Sequence, residues 1–258
     1  MAMDANAHSS LKYLDMQAAV GITKHNGGFE ATDELLWLCH IESAREVLNV
    51  GCGIGVGSVY VARKHGCHVV GVDISEQMVA WSRQRAREER VEDRVTFQVA
   101  DVLELPFEAG RFDVVFCESV LAFVDDRARA IGECVRVTKP GGYVGLNEAF
   151  WLTPPTPETL AAARDLLSAD IPTLESWQAL WEASSLRERE VRTYPIDARA
   201  EIRSRLEWVG WRWVLRAWGR LARMALTDRA ARRSIRQQFG AGMSAFEDVG
   251  YGLFVGRK

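Results

Sequence analysis

Apolar residues along this chain switch repeatedly between two spacings, and each switch marks a predicted element. A short apolar run over 46–50 leads into Gly51-Cys52-Gly53-Ile54-Gly55-Val56-Gly57, and helical spacing follows from Ser58 to Lys64. A second apolar run, 68–73, ends at Asp73, and Ser75 is placed to cap a helix that extends to about Arg90. Residues 94–100 alternate and end at Asp101, and 112–117 form a fourth strand with Glu118-Ser119 at its end. Residues 127–137 are helical and stop at Lys139-Pro140-Gly141-Gly142, after which 143–146 make a fifth strand ending at Asn147-Glu148. Ahead of this block, 11–20 has mixed helical spacing, a turn covers 23–28, and 31–41 is helical with Thr32 as its expected cap. Beyond Trp151, the run Thr153-Pro154-Pro155-Thr156-Pro157 is a stiff linker. Helices over 158–167 and 174–184 come next, then a strand over 187–194, an Arg- and Trp-rich helical stretch over 199–239, and a closing strand over 250–256.

Strand–helix alternation of this kind predicts an α/β fold, a parallel sheet with helices on both faces. Ligands of such sheets bind at the carboxyl ends of the strands. The predicted strands deliver Asp73, Asp101, Glu118, Asn147 and Glu148 to that edge, in register with the glycine-rich turn. The turn suits a nucleotide-like ligand, because glycine lets the backbone bend sharply and a ligand lie directly on it.

Composition narrows the class. With 258 residues, 48% hydrophobic and 26% charged, the chain is long enough for a well-buried core in one domain, or in one domain plus an insertion. A net charge of −3 carries no general signal for binding polyanions, so nucleic acid is not an expected partner. Cys39, Cys52, Cys67, Cys117 and Cys134 are odd in number, form no CxxC pair, and fit reduced, buried thiols; no metal centre is expected. Residues 1–10 are polar, lack the apolar core of a signal peptide and are expected to fray, and no apolar run reaches the ~20 residues that span a bilayer. The expected location is cytoplasmic, with membrane-peripheral attachment as the alternative.

The glycine spacing is informative about the ligand. A dinucleotide-binding GxGxxG would need a third glycine at Val56 or Ser58. Gly51-x-Gly53-x-Gly55 instead resembles the first motif of the class I S-adenosylmethionine-dependent methyltransferases. The resemblance continues in order through Val72-Asp73-Ile74-Ser75, Ala100-Asp101-Val102-Leu103-Glu104-Leu105-Pro106-Phe107, Phe112-Asp113-Val114-Val115 and Val137-Thr138-Lys139-Pro140-Gly141-Gly142, and covers roughly residues 45–150. It implies a Rossmann-like doubly wound sheet with an antiparallel last strand. It also implies three parts: an N-terminal helical lid at 1–44, a cofactor-binding domain at 45–198 and 247–258, and a helical cap insertion at 199–246.

The same resemblance implies roles for matching residues. Gly51, Gly53 and Gly55 would bear the methionine part of S-adenosylmethionine on bare backbone. Asp73 would accept from both ribose hydroxyls. Ile74 and Val102 would flank the adenine, with Met78 beside them, and Asp101 would accept from its amino group. Glu118 and Ser119 would lie near the cofactor's amino acid or methyl group. Asn49 stands where the family usually carries an acid; it keeps an acceptor and loses the charge, so weaker cofactor binding is expected.

Methyl transfer needs alignment, and it needs a base only if the acceptor must lose a proton. The base candidates are His25, Glu118 and Glu148, with Tyr13 further back. His25 lies in the expected lid, followed within three residues by Gly27-Gly28. Leu105-Pro106-Phe107 and the stretch 119–124 resemble the small-molecule branch of quinone, sterol and lipid biosynthesis. Ala122 and Phe123 stand where many members have histidine, which makes the pocket wall more apolar.

In 199–239, Trp208, Trp211, Leu215, Trp218 and Ala222 recur at helical spacing, and Trp213, Leu221 and Met224 add apolar area elsewhere. Arg203, Arg205, Arg212, Arg216, Arg220, Arg223, Arg232, Arg233 and Arg236 supply charge against few acids. Three readings follow: a helix packed on the domain with a solvated basic face, a cap over an apolar or anionic small molecule, or a helix on a membrane surface. The expected activity is methyl transfer to a small, apolar or lipid-like acceptor. The alternatives are a non-catalytic cofactor binder of the same fold and a peripheral membrane protein.

Overall fold

The computed structural model describes residues 13–23, 25–167, 169–196, 207, 209–228, 232, 235 and 248–258. Expectations for 1–10, for Lys24, for Trp208, Arg203, Arg205, Arg233 and Arg236, and for both ends of the 199–246 insertion lie outside the described residues. Seven strands and eight helices follow in chain order among the described residues: α1 (Tyr13–Val20), α2 (Gly28–Leu38), β1 (Glu46–Val50), α3 (Val56–His65), β2 (His68–Asp73), α4 (Glu76–Glu89), β3 (Val95–Val99), β4 (Phe112–Glu118), α5 (Arg127–Val137), β5 (Thr138–Trp151), α6 (Pro157–Leu167), α7 (Leu174–Ala183), β6 (Arg187–Pro195), α8 (Trp211–Thr227) and β7 (Val249–Arg257).

The strands form one sheet in the order β3-β2-β1-β4-β5-β7-β6. β1 pairs in parallel with both β2 and β4, and β7 is antiparallel to both β5 and β6. The chain therefore winds outward from β1 to β3 and returns to β4 on the other side. That reversal opens a crevice between the ends of β1 and β4, the place where open α/β sheets bind ligands. The glycine turn leaves the end of β1 and Glu118-Ser119 leave the end of β4, so the topology alone puts them side by side.

Successive residues of each central strand feed opposite cores, as strand geometry requires. Val47, Val114, Phe116 and Leu253 face one apolar layer with Leu35, Leu36 and Val61, whereas Leu48, Val115, Cys117 and Phe254 face the other with Ile131, Leu146 and Trp181. Each such side chain contributes roughly 1.5–3 kcal/mol on full burial. All five cysteines are free and buried, as expected.

β5 differs from the expected 143–146 strand. It runs to Trp151 because β7 lies antiparallel along it from Tyr143↔Arg257 to Trp151↔Val249 and gives the extra residues a partner. Thr32 also departs from expectation. It sits inside α2, not at its start, and its hydroxyl serves the site instead of the helix end.

α1 is fastened by its own C-terminus. The carbonyls there have no intrahelical donors, and three side chains from elsewhere supply them. Trp81 Nε1 donates to Ala18 O at 2.9 Å, Arg220 Nε to Val20 O at 2.7 Å and Trp213 Nε1 to Gly21 O at 2.5 Å. The Arg220 guanidinium lies 4.5 Å over the Trp81 ring, and Arg85 lies 4.3 Å over Trp213. α4 and α8 together hold α1 against the body of the domain, just before the chain reaches the glycine turn.

Candidate active site

The turn after β1 is built for close approach. Gly51 and Gly53 have φ of 67° and 54°, in the left-handed region that favours glycine. A Cβ on Gly51 would stand 2.2 Å from Val120 Cγ2, and one on Gly53 would stand 2.8 Å from Thr23 Cγ2. The segment after β4 and the segment after α1 thus both lie directly on the turn. Ser82 Oγ donates to Gly53 O at 2.7 Å and Arg85 Nε to Ile54 O at 3.1 Å, so α4 holds the turn from below.

Asp73 closes the frame. The Gly53 amide donates to its Oδ2 and the Ser75 amide to its Oδ1, each at 2.9 Å. Burial pushes this carboxyl above its ordinary value, and the two amides pull it back. Ser75 caps α4 as expected, accepting from the Met78 amide at 3.3 Å. Next to Asp73, Ile74 is 68% exposed, an unusual setting for a large aliphatic side chain at a strand end. Asp101, at the end of the neighbouring β3, is exposed and accepts from the Leu103 amide at 2.9 Å. An acceptor, an open apolar face and a second acceptor in that order fit ribose hydroxyls, a flat purine and its amino group.

Three residues expected in this frame are placed differently. Val102 is buried in the layer with Val50 and Val72, so Ile74 alone of that pair offers an open face. Met78 is buried with Ala18, Ile54 and Trp213 beneath the α1–α8 contact. Asn49 is buried under the turn, where its Nδ2 donates to Ser58 Oγ at 3.0 Å. The missing acid at this position is replaced by a neutral brace between β1 and α3.

A second cluster forms across the crevice. Thr32 Oγ1 donates to Glu118 Oε1 at 2.9 Å, Asn147 Nδ2 reaches the same oxygen at 3.4 Å, and His25 Nε2 lies 3.7 Å from it. His25 Nε2 is also 2.8 Å from Gly28 O and 3.0 Å from Thr32 Oγ1. A carbonyl only accepts, so Nε2 carries a hydrogen here. Asn26 ties the same segment down: its backbone amide and Nδ2 donate to Ser119 Oγ at 3.4 and 3.2 Å, and its carbonyl accepts from Asn147 Nδ2 at 2.8 Å. Ser119 itself has φ of 57°, a left-handed conformation uncommon outside glycine and concentrated at functional sites. His25, Glu118, Ser119 and Asn147 therefore come together as the strand ends suggested. Thr32 and Asn26 join them without a local sequence signal, since Thr32 meets Glu118 across 86 residues.

Glu148 is not part of this cluster, contrary to its listing among the base candidates above. Glu118 is in register with Asn147, and Glu148 is one residue further on and faces the opposite layer. It is fully buried, and its Oε1 accepts from the Val120 and Leu121 amides at 2.9 and 2.8 Å. Burial pushes its carboxyl up to about 7, against the pull of the amides of the 120–122 turn. Its effect on the crevice is indirect: it holds Val120, whose side chain lies over Gly51.

Residues 48–146 match the family model described as a methyltransferase domain. The fold and the motif order agree with that match. Among curated proteins it is similar to the 27-O-demethylrifamycin SV methyltransferase of Amycolatopsis mediterranei, 35% identical over 131 residues that cover 51% of this chain and 47% of that one. The chain spans about half the length of the curated relatives it matches first, 44% and 47% of theirs. Solved structures extend the likeness to nearly the whole chain. The structure titled as the [4+2]-cyclase SpnF superposes with a TM-score of 0.75 at 21% identity, covering 97% of this chain and 98% of that one. A methyltransferase of Geobacter sulfurreducens, solved with S-adenosyl-L-homocysteine, gives 0.70 at 23% identity, covering 96% and 98%. A cyclase and a methyltransferase share this architecture, so the residues of the site, not the fold, must decide the chemistry.

Proposed function

We propose that this chain binds S-adenosylmethionine at the β1–β4 crevice and transfers its methyl group to a small, apolar or lipid-like acceptor. The observation that carries the reading is the Asp73 carboxylate, tied to the glycine turn through the Gly53 amide and standing beside the exposed Ile74. Asp73 accepts from the ribose hydroxyls, Ile74 lies against the purine, and Asp101 accepts from its amino group. The sulfonium of the bound cofactor supplies an activated methyl group, so the protein has to align the acceptor and exclude water.

Residues before β1 act as a lid. Thr23 lies over Gly53, and Asn26 is bonded to Ser119 and Asn147, which closes the crevice from the N-terminal side. Glu118 receives the Thr32 hydroxyl, and His25 beside it is the group able to take a proton from an acceptor hydroxyl or amine. The apolar acceptor is supported by the wall opposite. Tyr13 and Phe123 stack with ring centroids 6.3 Å apart, next to Ala122 and Leu121.

Calorimetric titration with S-adenosylmethionine and S-adenosylhomocysteine tests the cofactor. Wild type should bind both, and Asp73→Ala should bind roughly 10–100-fold more weakly, the worth of one charged hydrogen-bonding partner. No binding by wild type would end the reading. Release of S-adenosylhomocysteine across acceptors graded by polarity tests the substrate. Turnover confined to charged acceptors would overturn the apolar assignment, and tight cofactor binding with no turnover on any acceptor would favour the non-catalytic alternative.

A further inference from the structure

α8 has two apolar faces, and among the described residues one is buried and the other exposed. Trp213 and Ala217 are buried on the inner face, where Trp213 meets Trp81 edge-on at 5.8 Å and Arg220 reaches Val20 O. On the opposite side Trp211, Leu215 and Leu226 are 64%, 62% and 79% exposed, and Ala222 lies in the same row at helical spacing. A lone exposed leucine is ordinary. A continuous apolar row along a helix of this length, roughly 25 Å by its rise per residue, marks a contact surface.

We propose that this outer face of α8 seats the protein on an anionic lipid bilayer surface. Charge identifies the occupant. Residues 199–239 carry eleven arginines against Glu201, Glu207 and Asp228, in a chain whose net charge is −3. The stretch is the basic part of an otherwise acidic sequence, which suits a negatively charged partner. Arg212 lies 5.4 Å over the Trp211 ring, which places a guanidinium beside the indole at one end of the row. Arg223 flanks the row, and Arg232 folds back onto the carbonyls of Ala225 and Leu226 at its other end. Arg216 is held by Glu88 at 2.9 Å and anchors the helix to α4.

Tryptophan, leucine and arginine on one helix face are the residues that lie at the headgroup level, indole rings among the acyl boundary and guanidinium groups on phosphates. A second copy of the chain is disfavoured on the same evidence, because a two-fold contact through this face would set arginine against arginine. None of the described helices is long and apolar enough to cross a membrane, so the contact is with the surface. The inner face of the same helix holds the α1 lid, which places the bilayer next to the element that closes the crevice.

Co-sedimentation of the full chain with vesicles tests the proposal, using phosphatidylcholine alone and equimolar phosphatidylcholine and phosphatidylglycerol. The chain should pellet with the anionic vesicles, less so as salt is raised. Trp211→Ser with Leu215→Glu should weaken that partition at least about tenfold, since two exposed apolar anchors are lost. Both positions are exposed and outside the site, so the variant should titrate with S-adenosylmethionine as wild type does. That second readout keeps this proposal separate from the cofactor reading. Protein left in the supernatant with anionic vesicles would overturn it, as would a double variant that pellets like wild type. A wild-type dimer that the double variant dissociates, with vesicle binding unchanged, would assign the face to a second copy and also overturn it.

Discussion

Glu118 and Glu148 end neighbouring strands, and at first sight they are the same kind of residue. Their surroundings differ completely. Glu118 faces the crevice and meets a hydroxyl, an amide and an imidazole from Thr32, Asn147 and His25. Glu148 faces the other layer, where its Oε1 accepts from the Val120 and Leu121 amides and lies 4.0 Å from the Cys117 thiol. Side-chain partners can rearrange when a ligand arrives, so Glu118 is placed to take part in chemistry. Backbone amides of a buried turn cannot, so Glu148 is placed to hold a shape. One residue of strand register separates the two outcomes.

The largest effect should come from truncating the structural carboxylate. Glu148→Ala leaves the Val120 and Leu121 amides buried without an acceptor, and an orphaned amide costs about 1–3 kcal/mol. Denaturant unfolding should show a loss of about 3 kcal/mol or more. Glu118→Ala should cost about 1 kcal/mol, because Thr32 Oγ1 can turn to Gly28 O, 3.3 Å away. Equal losses in the two variants would erase the distinction between them.

A pH titration sharpens the same contrast. With the folded carboxyl of Glu148 near 7 and the ordinary value at 4.5, both states are protonated in acid and the group is neutral toward stability there. As pH rises, the unfolded chain releases this proton first, so the stability present in acid is lost through the window that ends near 7. At 1.36 kcal/mol per unit the loss approaches roughly 3 kcal/mol. Glu148→Gln keeps an acceptor for the two amides and removes the titration. The difference in unfolding free energy between wild type and this variant should therefore shift against wild type from about pH 4.5 to about pH 7. A flat difference would mean that the buried carboxyl titrates normally.

The smallest effect belongs to the lid. Thr32→Val removes the hydroxyl between Glu118 and His25 while His25 keeps Gly28 O, and a single hydrogen bond of this kind is worth about 1 kcal/mol. Hydrogen exchange at the amides of 25–28 should quicken in this variant, with protection of β1 and β4 unchanged. Faster exchange in the sheet as well would mean that the lid cluster is part of the global fold.

Much of this was legible before any coordinates. Apolar runs and helical spacing located the strands and most helices, because burial on two faces leaves a continuous apolar run and burial on one helix face leaves a 3.6-residue period. The alternation of the two implied the parallel sheet, and Gly51-x-Gly53-x-Gly55 with Asp73 and Asp101 in order located the crevice. What stayed hidden were relations between distant segments. Thr32 looked like a cap because its neighbours begin a helical pattern; its real partner is on β4. The resemblance implies Val102 and Met78 as ligand contacts, but Val102 packs into the layer with Val50 and Val72, and Met78 is covered by Ala18 of α1 and Trp213 of α8. β5 is longer than its own pattern suggests because its last residues are stabilised by β7, far later in the chain.

The amino-acid order by itself determined the elements, their alternation and the chemistry available at each strand end, since these follow from local sterics, capping and periodicity. Only the tertiary structure decided which strand-end carboxylate faces the crevice, which face of α8 packs on α1, and which face is exposed among the described residues. Those choices depend on register and on packing between segments far apart in sequence, and no local pattern carries that information.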